Sequence, residues 1–422
     1  MPRMVEHTAR AQQVIWRCQT LARFTEDPPR IRRTFLSPPM RACHQEIEGW
    51  MRPLGMTVHI DAVGNLRGIY PATNGATSPK LLIGSHLDTV PGAGAYDGVL
   101  GVVVAVALIE SLERRRLPFA IEVVGFSEEE GVRFGVPFIG SRALVGTVNE
   151  ELLNRRDSQG LSVRDAIRAY DLNPNDIPAV ALKEEAFGYL EFHIEQGPEL
   201  EHLGLALAAV EAIAGQTRME LIFLGHANHA GTTPMAVRRD ALVAAAEWAV
   251  AVERRALETP GLVATVGVLE AKPGAGNVIA GACRATLDVR HPSDQVRAKS
   301  VEALLGAAKE TADRRGIQLT PSTELLQAAT AMDSSLLSYV QAALSQAGLT
   351  PHRMVSGAGH DAMILAQKVP SAMIFLRSPG GISHNPQESV LLEDVAKALE
   401  VGLHLLHQLA SSPEFHKRIN RA

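Results

Sequence analysis

Residues 81–112, LLIGSHLDTVPGAGAYDGVLGVVVAVALIESL, constrain this chain more than any other stretch. Leu81-Leu82-Ile83 is an apolar run that reads as a buried strand, and residues 99–109 are an unbroken apolar segment of helical length. Between them fall His86, Asp88 and Asp97. A strand delivering an imidazole, a glycine-rich loop, and an Asp at a helix start form a nest for a metal. His86 offers a nitrogen, and Asp97 an oxygen that can bridge two ions. Asp88 is placed to hold the imidazole's other N–H. The glycines let backbone pack close to the site.

The chain has 422 residues, more than one ordinary domain, and 46% are hydrophobic, ample for a large core. A formal net charge of −5 leaves no nucleic-acid footprint. The short basic run Arg114-Arg115-Arg116 suits a helix end. Three cysteines, Cys18, Cys43 and Cys283, with no CxxC spacing, argue against a disulfide framework or a thiolate zinc site. The first residues, MPRMVEHTAR, carry no apolar signal core, and 99–109 is too short to cross a bilayer. The expectation is a soluble, cytoplasmic protein.

In chain order, helices are expected over 5–24 and 40–54, strands over 57–60 and 66–70, and a second buried strand over 119–126. That strand ends in Ser127-Glu128-Glu129-Glu130-Gly131. Residues 140–186 read as largely helical and polar. A strand over 188–194 then carries Glu191 and His193, with Glu195-Gln196-Gly197 just beyond. Strand, helix, strand with polar residues at strand ends is the grammar of an open α/β sheet. From about Ala209 the pattern changes. Strand 217–224, helix 236–257, strands 262–269 and 282–290, helix 293–315 and a short strand 318–320 follow the β-α-β-β-α-β order of a ferredoxin-like unit. It reads as an inserted second domain, 212–328, inside a discontinuous first domain, 1–211 and 329–422. Helices 334–347 and 391–409, with a strand at 372–375, complete the first.

Five candidate ligands lie at strand ends or in the loops after them: His86, Asp97, one of Glu128–Glu130, His193 and His384. All are nitrogen or oxygen donors. With two ions and a bridging Asp97, each ion has three protein ligands and an open position, the arrangement of a catalytic site. Imidazole and carboxylate suit zinc, manganese, cobalt or nickel. A glutamate beside the ligand can serve as general base, its pKa lifted by like charges and burial.

The motifs GSHLDTV (84–90), YDGVLGV (96–102), EEEGVRF (128–134), HIEQGPELE (193–201), NHAGTTPM (228–235), GAGHDA (357–362) and SHNPQES (383–389) run through nearly the whole chain. In this order they resemble the hydantoinase/carbamoylase branch of the M20 dinuclear metallohydrolases. The resemblance implies an open-sheet α/β catalytic domain with an inserted ferredoxin-like lid and dimerisation domain. It implies His86, Asp97 and His193 on one ion, and Asp97, Glu130 and His384 on the other. Glu129 falls in the general-base position, with Asp88 supporting. Gln196 matches a position beside substrate, and Arg218, Asn277 and Arg290 match positions holding its carboxylate and carbonyl oxygens. His229 matches a residue that reaches the active site of a partner subunit and steadies the oxyanion. His360 and Asp361 take a supporting role near substrate. The sequence departs from the branch at Thr217 and in PGAGAY (91–96), where the branch often has a Gly-Gly pair.

The implied activity is cleavage of a ureido or carbamoyl C–N bond on a small carboxylate, by a homodimer, with allantoate and N-carbamoyl-L-amino acids both open as substrates. An aminoacylase or dipeptidase of the same superfamily is the alternative enzyme, disfavoured by HIEQGPELE and NHAGTTPM. A metal-free binding protein on this fold is disfavoured by the complete ligand set.

Overall fold

The computed structural model describes residues 2–75, 78–183 and 186–412. The chain is a mixed α/β protein with open sheets, and it separates into two compact units. The first comprises Met1–Glu211, Met332–Met354 and Gly359–Ala422. The second comprises Ala212–Ala331 and Val355–Ala358.

The first unit is built on a twisted sheet in the order 207–213, 371–376, 186–194, 80–86, 120–126, 66–70, 57–60. Its four middle strands, Ser371–Leu376, Ala186–Ile194, Lys80–His86 and Ala120–Phe126, run parallel to one another. They are buried almost end to end, as strands covered on both faces must be. The apolar segment forms the helix Val99–Ser111, with every residue from Val99 to Ile109 buried. It has no polar face because it has no wet face. It packs between the sheet and the helices Pro2–Leu21 and Leu392–Ser411.

The link from His86 to Asp97 is less loop-like than its glycines imply. Thr89–Ala93 is a strand, paired antiparallel with Ile31–Arg33. Residues 140–186 resolve into short helices, Ile139–Val145, Glu150–Leu153, Val163–Ala169 and Ile177–Val180. Residues 184–185 of that stretch lie outside the described residues, as do 413–422 at the end of the expected first domain.

In the second unit, two helices, Ala241–Glu258 and Asp294–Arg314, pack on an antiparallel sheet. The strand Gly215–Leu224 lies between Ala282–His291 and Gln318–Gln327. The stretch expected as one strand over 262–269 is two, Val263–Thr265 and Leu269–Lys272, both on Ala282–His291. Three residues, 266–268, stand opposite two, which makes a bulge at Gly267. The Thr286 hydroxyl accepts from the orphaned Val268 amide there (3.0 Å). The helix expected from residue 236 begins at 241, because Asp240 caps it by accepting from the Leu242 and Val243 amides. Trp248 is fully buried and donates to the Leu304 carbonyl (2.9 Å).

A buried ion pair joins the central helix to the first one. Arg17 grips Glu110 through two hydrogen bonds, 2.7 and 3.1 Å, and Arg10, two turns earlier, adds a third at 3.0 Å. Glu110→Ala strands the Arg17 guanidinium without its partner and is expected to cost about 3 kcal/mol. Urea denaturation measures the loss. The double variant Glu110→Ala/Arg17→Met should be less destabilised than Glu110→Ala alone, since no charge is left buried.

Candidate active site

The carboxyl ends of the four parallel strands bring the site together. His86 ends its strand, and parallel pairing sets it beside Phe126, directly before Ser127–Glu130. On the other side His193 pairs with Phe375, and the loop after Leu376 leads to His384. Ligand crevices of open α/β sheets form at such ends. A cavity of about 260 Å³ lined by His59, Arg67, Lys80 and Glu122 involves the opposite ends of these strands, so cavity size is no guide to the centre.

Asp97 is the hub. One carboxylate oxygen lies 3.3 Å from His193 Nε2 and the other 3.1 Å from His384 Nε2. His384 Nε2 is also 3.5 Å from Glu130 Oε1. On the inner side, His86 Nε2 and His193 Nε2 face each other at 3.4 Å. Each ring's Nδ1 is tied to a backbone carbonyl, Asp88 O at 3.0 Å and Ile194 O at 2.9 Å. A carbonyl only accepts, so both Nδ1 atoms carry hydrogen and both Nε2 atoms point inward at one another. Two lone pairs cannot face each other there, so the contact calls for positive charge between the rings, a proton or a metal ion. The donor set therefore fits metal. Three of its groups have ligand atoms within 4.8 Å of one another: His86, Asp97 and His193; Asp97, Glu130 and His384; and His86, Glu129 and Glu130.

The electrostatics say the same. Burial alone would push the His86 imidazole down, but Asp88, Asp97, Glu130 and Asp361 overcome it and hold the ring up at about 9. Without metal, a proton supplies the positive charge these carboxylates demand. His193, mainly through burial and despite Asp97, is pushed down to about 4 and is neutral. Burial opposes ionisation of Asp97, yet hydrogen bonding to His384 and the surrounding imidazoles hold its carboxyl below the usual range. Burial, then Glu130 and Asp361, raise Glu129 well above the carboxylate range.

The run of three glutamates is sorted by what each touches. Glu128, at φ +50°, is buried and accepts from the Phe35, Arg133 and Phe134 amides, so its oxygens are occupied. Glu130 reaches His384, and Glu129 lies with His86. Asp88 differs from the expected role. Its backbone carbonyl holds His86, while its carboxylate stands 3.8 Å from Nδ1 and accepts from the Glu129 and Glu130 amides (2.9 and 3.0 Å). It thus fixes the glutamate pair. Gln196, at φ +61°, donates to both Asp97 oxygens (3.0 and 3.1 Å). Gly98 starts the central helix at φ +65°, and a Cβ there would collide with the His86 ring.

His360 stacks edge-on against His193, ring centres 4.5 Å apart, and burial keeps it neutral. Asp361 heads the buried helix Asp361–Leu365. Glu191 could be grouped with His193 and His360 as a fourth ligand set. Its oxygens already accept from Ser85 Oγ, Tyr189 Oη and the Ala362 amide (2.9, 3.1 and 2.9 Å), so it braces the site and is not a ligand.

The remaining expected residues lie in the second unit, in two pairs. Arg218 and Arg290 both bind Asp288. His229 and Asn277 are exposed neighbours in adjoining loops, where the Ala230 amide donates to the Asn277 carbonyl (2.9 Å).

Sequence reasoning missed Glu388. Its buried carboxylate accepts from the Tyr96 and Asp97 amides (2.8 and 3.1 Å), tying the Asp97 loop to the loop carrying His384. The only hint was an acidic residue inside SHNPQES. Glu388→Ala leaves two buried amides unsatisfied and frees both loops. Metal affinity is expected to fall about 10- to 100-fold, measured by elemental analysis after graded chelation. Glu388→Gln keeps an acceptor and should retain most of the affinity.

An open α/β sheet with an imidazole–carboxylate centre at its strand ends defines a metal-dependent hydrolase. The chain belongs to Peptidase family M20/M25/M40, whose family model matches residues 82–408. It is 39% identical to N-carbamoyl-L-amino acid amidohydrolase of Geobacillus stearothermophilus, over 86% of this chain and 90% of that one. It is 36% identical to allantoate deiminase of Arabidopsis thaliana, over 94% of this chain and 82% of that one. The crystal structure of an amidase of the hydantoinase/carbamoylase family from Burkholderia multivorans superposes with a TM-score of 0.90 at 31% identity, covering 96% of this chain and 98% of that one.

Proposed function

We propose that this enzyme hydrolyses the C–N bond of a ureido or carbamoyl group on a small carboxylate, allantoate or an N-carbamoyl-L-amino acid, releasing ammonia. The observation that carries the reading is Asp97, whose two oxygens are divided between His193 and His384. We assign His86, Asp97 and His193 to one divalent ion and Asp97, Glu130 and His384 to a second, zinc or manganese, with cobalt or nickel chemically acceptable. When bound, the ions supply Lewis-acid polarisation of the scissile carbonyl and make water a better nucleophile. Glu129 takes the proton from the attacking water and returns it to the leaving nitrogen. Burial, then the neighbouring Glu130 and Asp361, favour its protonated form, which supports the uptake step. Asp88 holds the Glu129 and Glu130 backbone in register for this. Gln196 orients Asp97 and lies beside substrate. Arg218 and Arg290 grip the substrate carboxylate, and Asn277 takes a carbonyl oxygen.

The second unit, in this reading, is a lid and dimerisation domain, and His229 of the partner subunit steadies the oxyanion. Val243, Val250 and Leu257, seven residues apart along the helix Ala241–Glu258, are exposed and give that domain an apolar stripe to bury. All three cysteines are free, and among the described residues no helix is long and apolar enough to cross a membrane. Both features fit a cytoplasmic setting.

The test is ammonia release by the manganese-loaded enzyme from allantoate, N-carbamoyl-L-amino acids and N-carbamoyl-β-alanine. Turnover of N-acyl amino acids or dipeptides with none of these would sink the proposal. Glu129→Gln should retain metal and lose about 10²- to 10⁴-fold in turnover. Asp97→Ala should lose both ions together in elemental analysis; full retention of one would remove the bridge.

A further inference from the structure

The second-unit sheet has one face packed on helices by Thr217, Met219, Leu221, Leu287 and Val289. The alternate residues on the other face include Gln216 and Arg218 on one strand and Asp288 and Arg290 on its neighbour. Strand register sets Arg218 opposite Asp288 and Gln216 opposite Arg290. The Asp288 carboxylate accepts four hydrogen bonds: from Gln216 Nε2 at 2.6 Å, Arg218 Nε at 3.0 Å, Arg290 Nε at 2.9 Å and Arg290 Nη2 at 3.0 Å. Arg290 Nη1 donates to the Gly357 carbonyl at 2.6 Å. Arg290 is thus fixed along both edges. Arg218 is different. Among the described residues it gives only Nε to the protein, and its side chain is 53% exposed.

We propose that Asp288 is a positioning residue that sets substrate specificity. It holds both guanidiniums in place and reduces their combined charge from two to one, so the group accepts a substrate with a single carboxylate and opposes one with two. The inference rests on the ureido-acid reading and on Arg218 and Arg290 as the carboxylate grip. Its physical basis is charge balance at a partly desolvated site. One substrate carboxylate neutralises the net single positive charge. A second would meet Asp288 as a like charge, a penalty that discriminates strongly between partners. With Asp288 neutralised, the two arginines would instead match a dicarboxylate.

The experiment compares N-carbamoyl-L-asparagine with N-carbamoyl-L-aspartate, which match in size and differ by one charge, on the full-length metal-loaded enzyme. Wild type is expected to favour the asparagine compound by about tenfold or more in kcat/KM. Asp288→Asn should move that ratio toward the aspartate compound by about tenfold, chiefly through KM, with metal content unchanged. Asp288→Glu keeps the charge and should keep the wild-type preference. An unchanged ratio in Asp288→Asn, or no preference in wild type, overturns the inference. Should Asp288→Asn fail to fold, Arg218→Gln at its exposed position serves. It lowers the net charge to zero and must weaken the aspartate compound more than the asparagine compound; an equal loss overturns the inference. If wild type hydrolyses neither compound, allantoate turnover decides the functional reading separately. Calorimetric binding of the same two compounds to wild type and Asp288→Asn then decides the charge argument by the same ratio.

Discussion

The constraint on which this site depends is an excess of buried negative charge. Asp88, Asp97, Glu128, Glu129, Glu191 and Glu388 are all buried around the carboxyl ends of four parallel strands. Burial first, and then mutual repulsion, lifts Glu128 to about 8 and Glu388 to about 7. Side-chain and backbone donors settle most of the group. Glu128 takes three amides, Asp88 two, and Glu388 two, while Glu191 takes two hydroxyls and an amide. Each of these carboxylates joins segments distant in sequence, so charge that would destabilise a core becomes its cross-linking. Asp97, Glu129 and Glu130 are left with positive charge still to find. The imidazoles around them are already turned by their carbonyl partners so that Nε2 points inward. What remains is a cation-shaped deficit, and the fold supplies it with rigid walls.

Those walls come from a helix that has no polar side. Val99–Ser111 can sit only where every face is covered, and its start carries Asp97 two residues earlier. Gly98 permits the His86 ring against the helix start, and Gly101 permits the backbone of Phe192 against its first turn. A side chain at either position would push apart the strands that bear His86 and His193. Hydrophobic burial therefore fixes ligand spacing directly. Strain at the site falls on a few backbone positions. Glu128, Gln196 and His384 all hold positive φ without being glycine, each where its side chain must be re-aimed at the end of a strand or within a loop.

What the chain shows in its sequence follows this division. Buried parallel strands appear as apolar runs, and the helix as an apolar block. The ligands stand out because imidazole and carboxylate at strand ends have no role in a core. Elements defined by pairing are harder to see. Leu207–Ile213, LAAVEAI, has the composition of a helix and is a strand because it pairs with Ser371–Leu376. Gln318–Gln327 lies at a sheet edge with most of its residues exposed, so it has no alternation to reveal its length, and Pro321 disguises it further. Asp88 shows a finer limit. Spacing put it beside His86, but whether its carbonyl or its carboxylate takes the ring nitrogen depends on backbone torsions. Glu388 and Asp288 were invisible for a third reason. Their importance lies in which donors they accept from, up to 292 positions away for Glu388, and one sequence carries no record of that pairing.

The two units solve opposite versions of one electrostatic problem. At the strand ends of the first, carboxylates outnumber fixed cations, and the imbalance selects positively charged ligands. On the other face of the second-unit sheet, Arg218 and Arg290 outnumber Asp288, and in the proposed reading the imbalance meets the substrate carboxylate. In each case the protein does not leave its charges free. It commits most of them internally, Glu128 and Asp88 to amides, Arg290 to Asp288 and Gly357. The residual charge is small, localised and held on side chains that cannot relax to satisfy it. A smaller residual would bind nothing. A larger one would accept any ion of the right sign, since long-range attraction does not distinguish shapes. In the proposed reading, internal pairing is therefore what turns charge into selectivity, through residues that never touch the ligand.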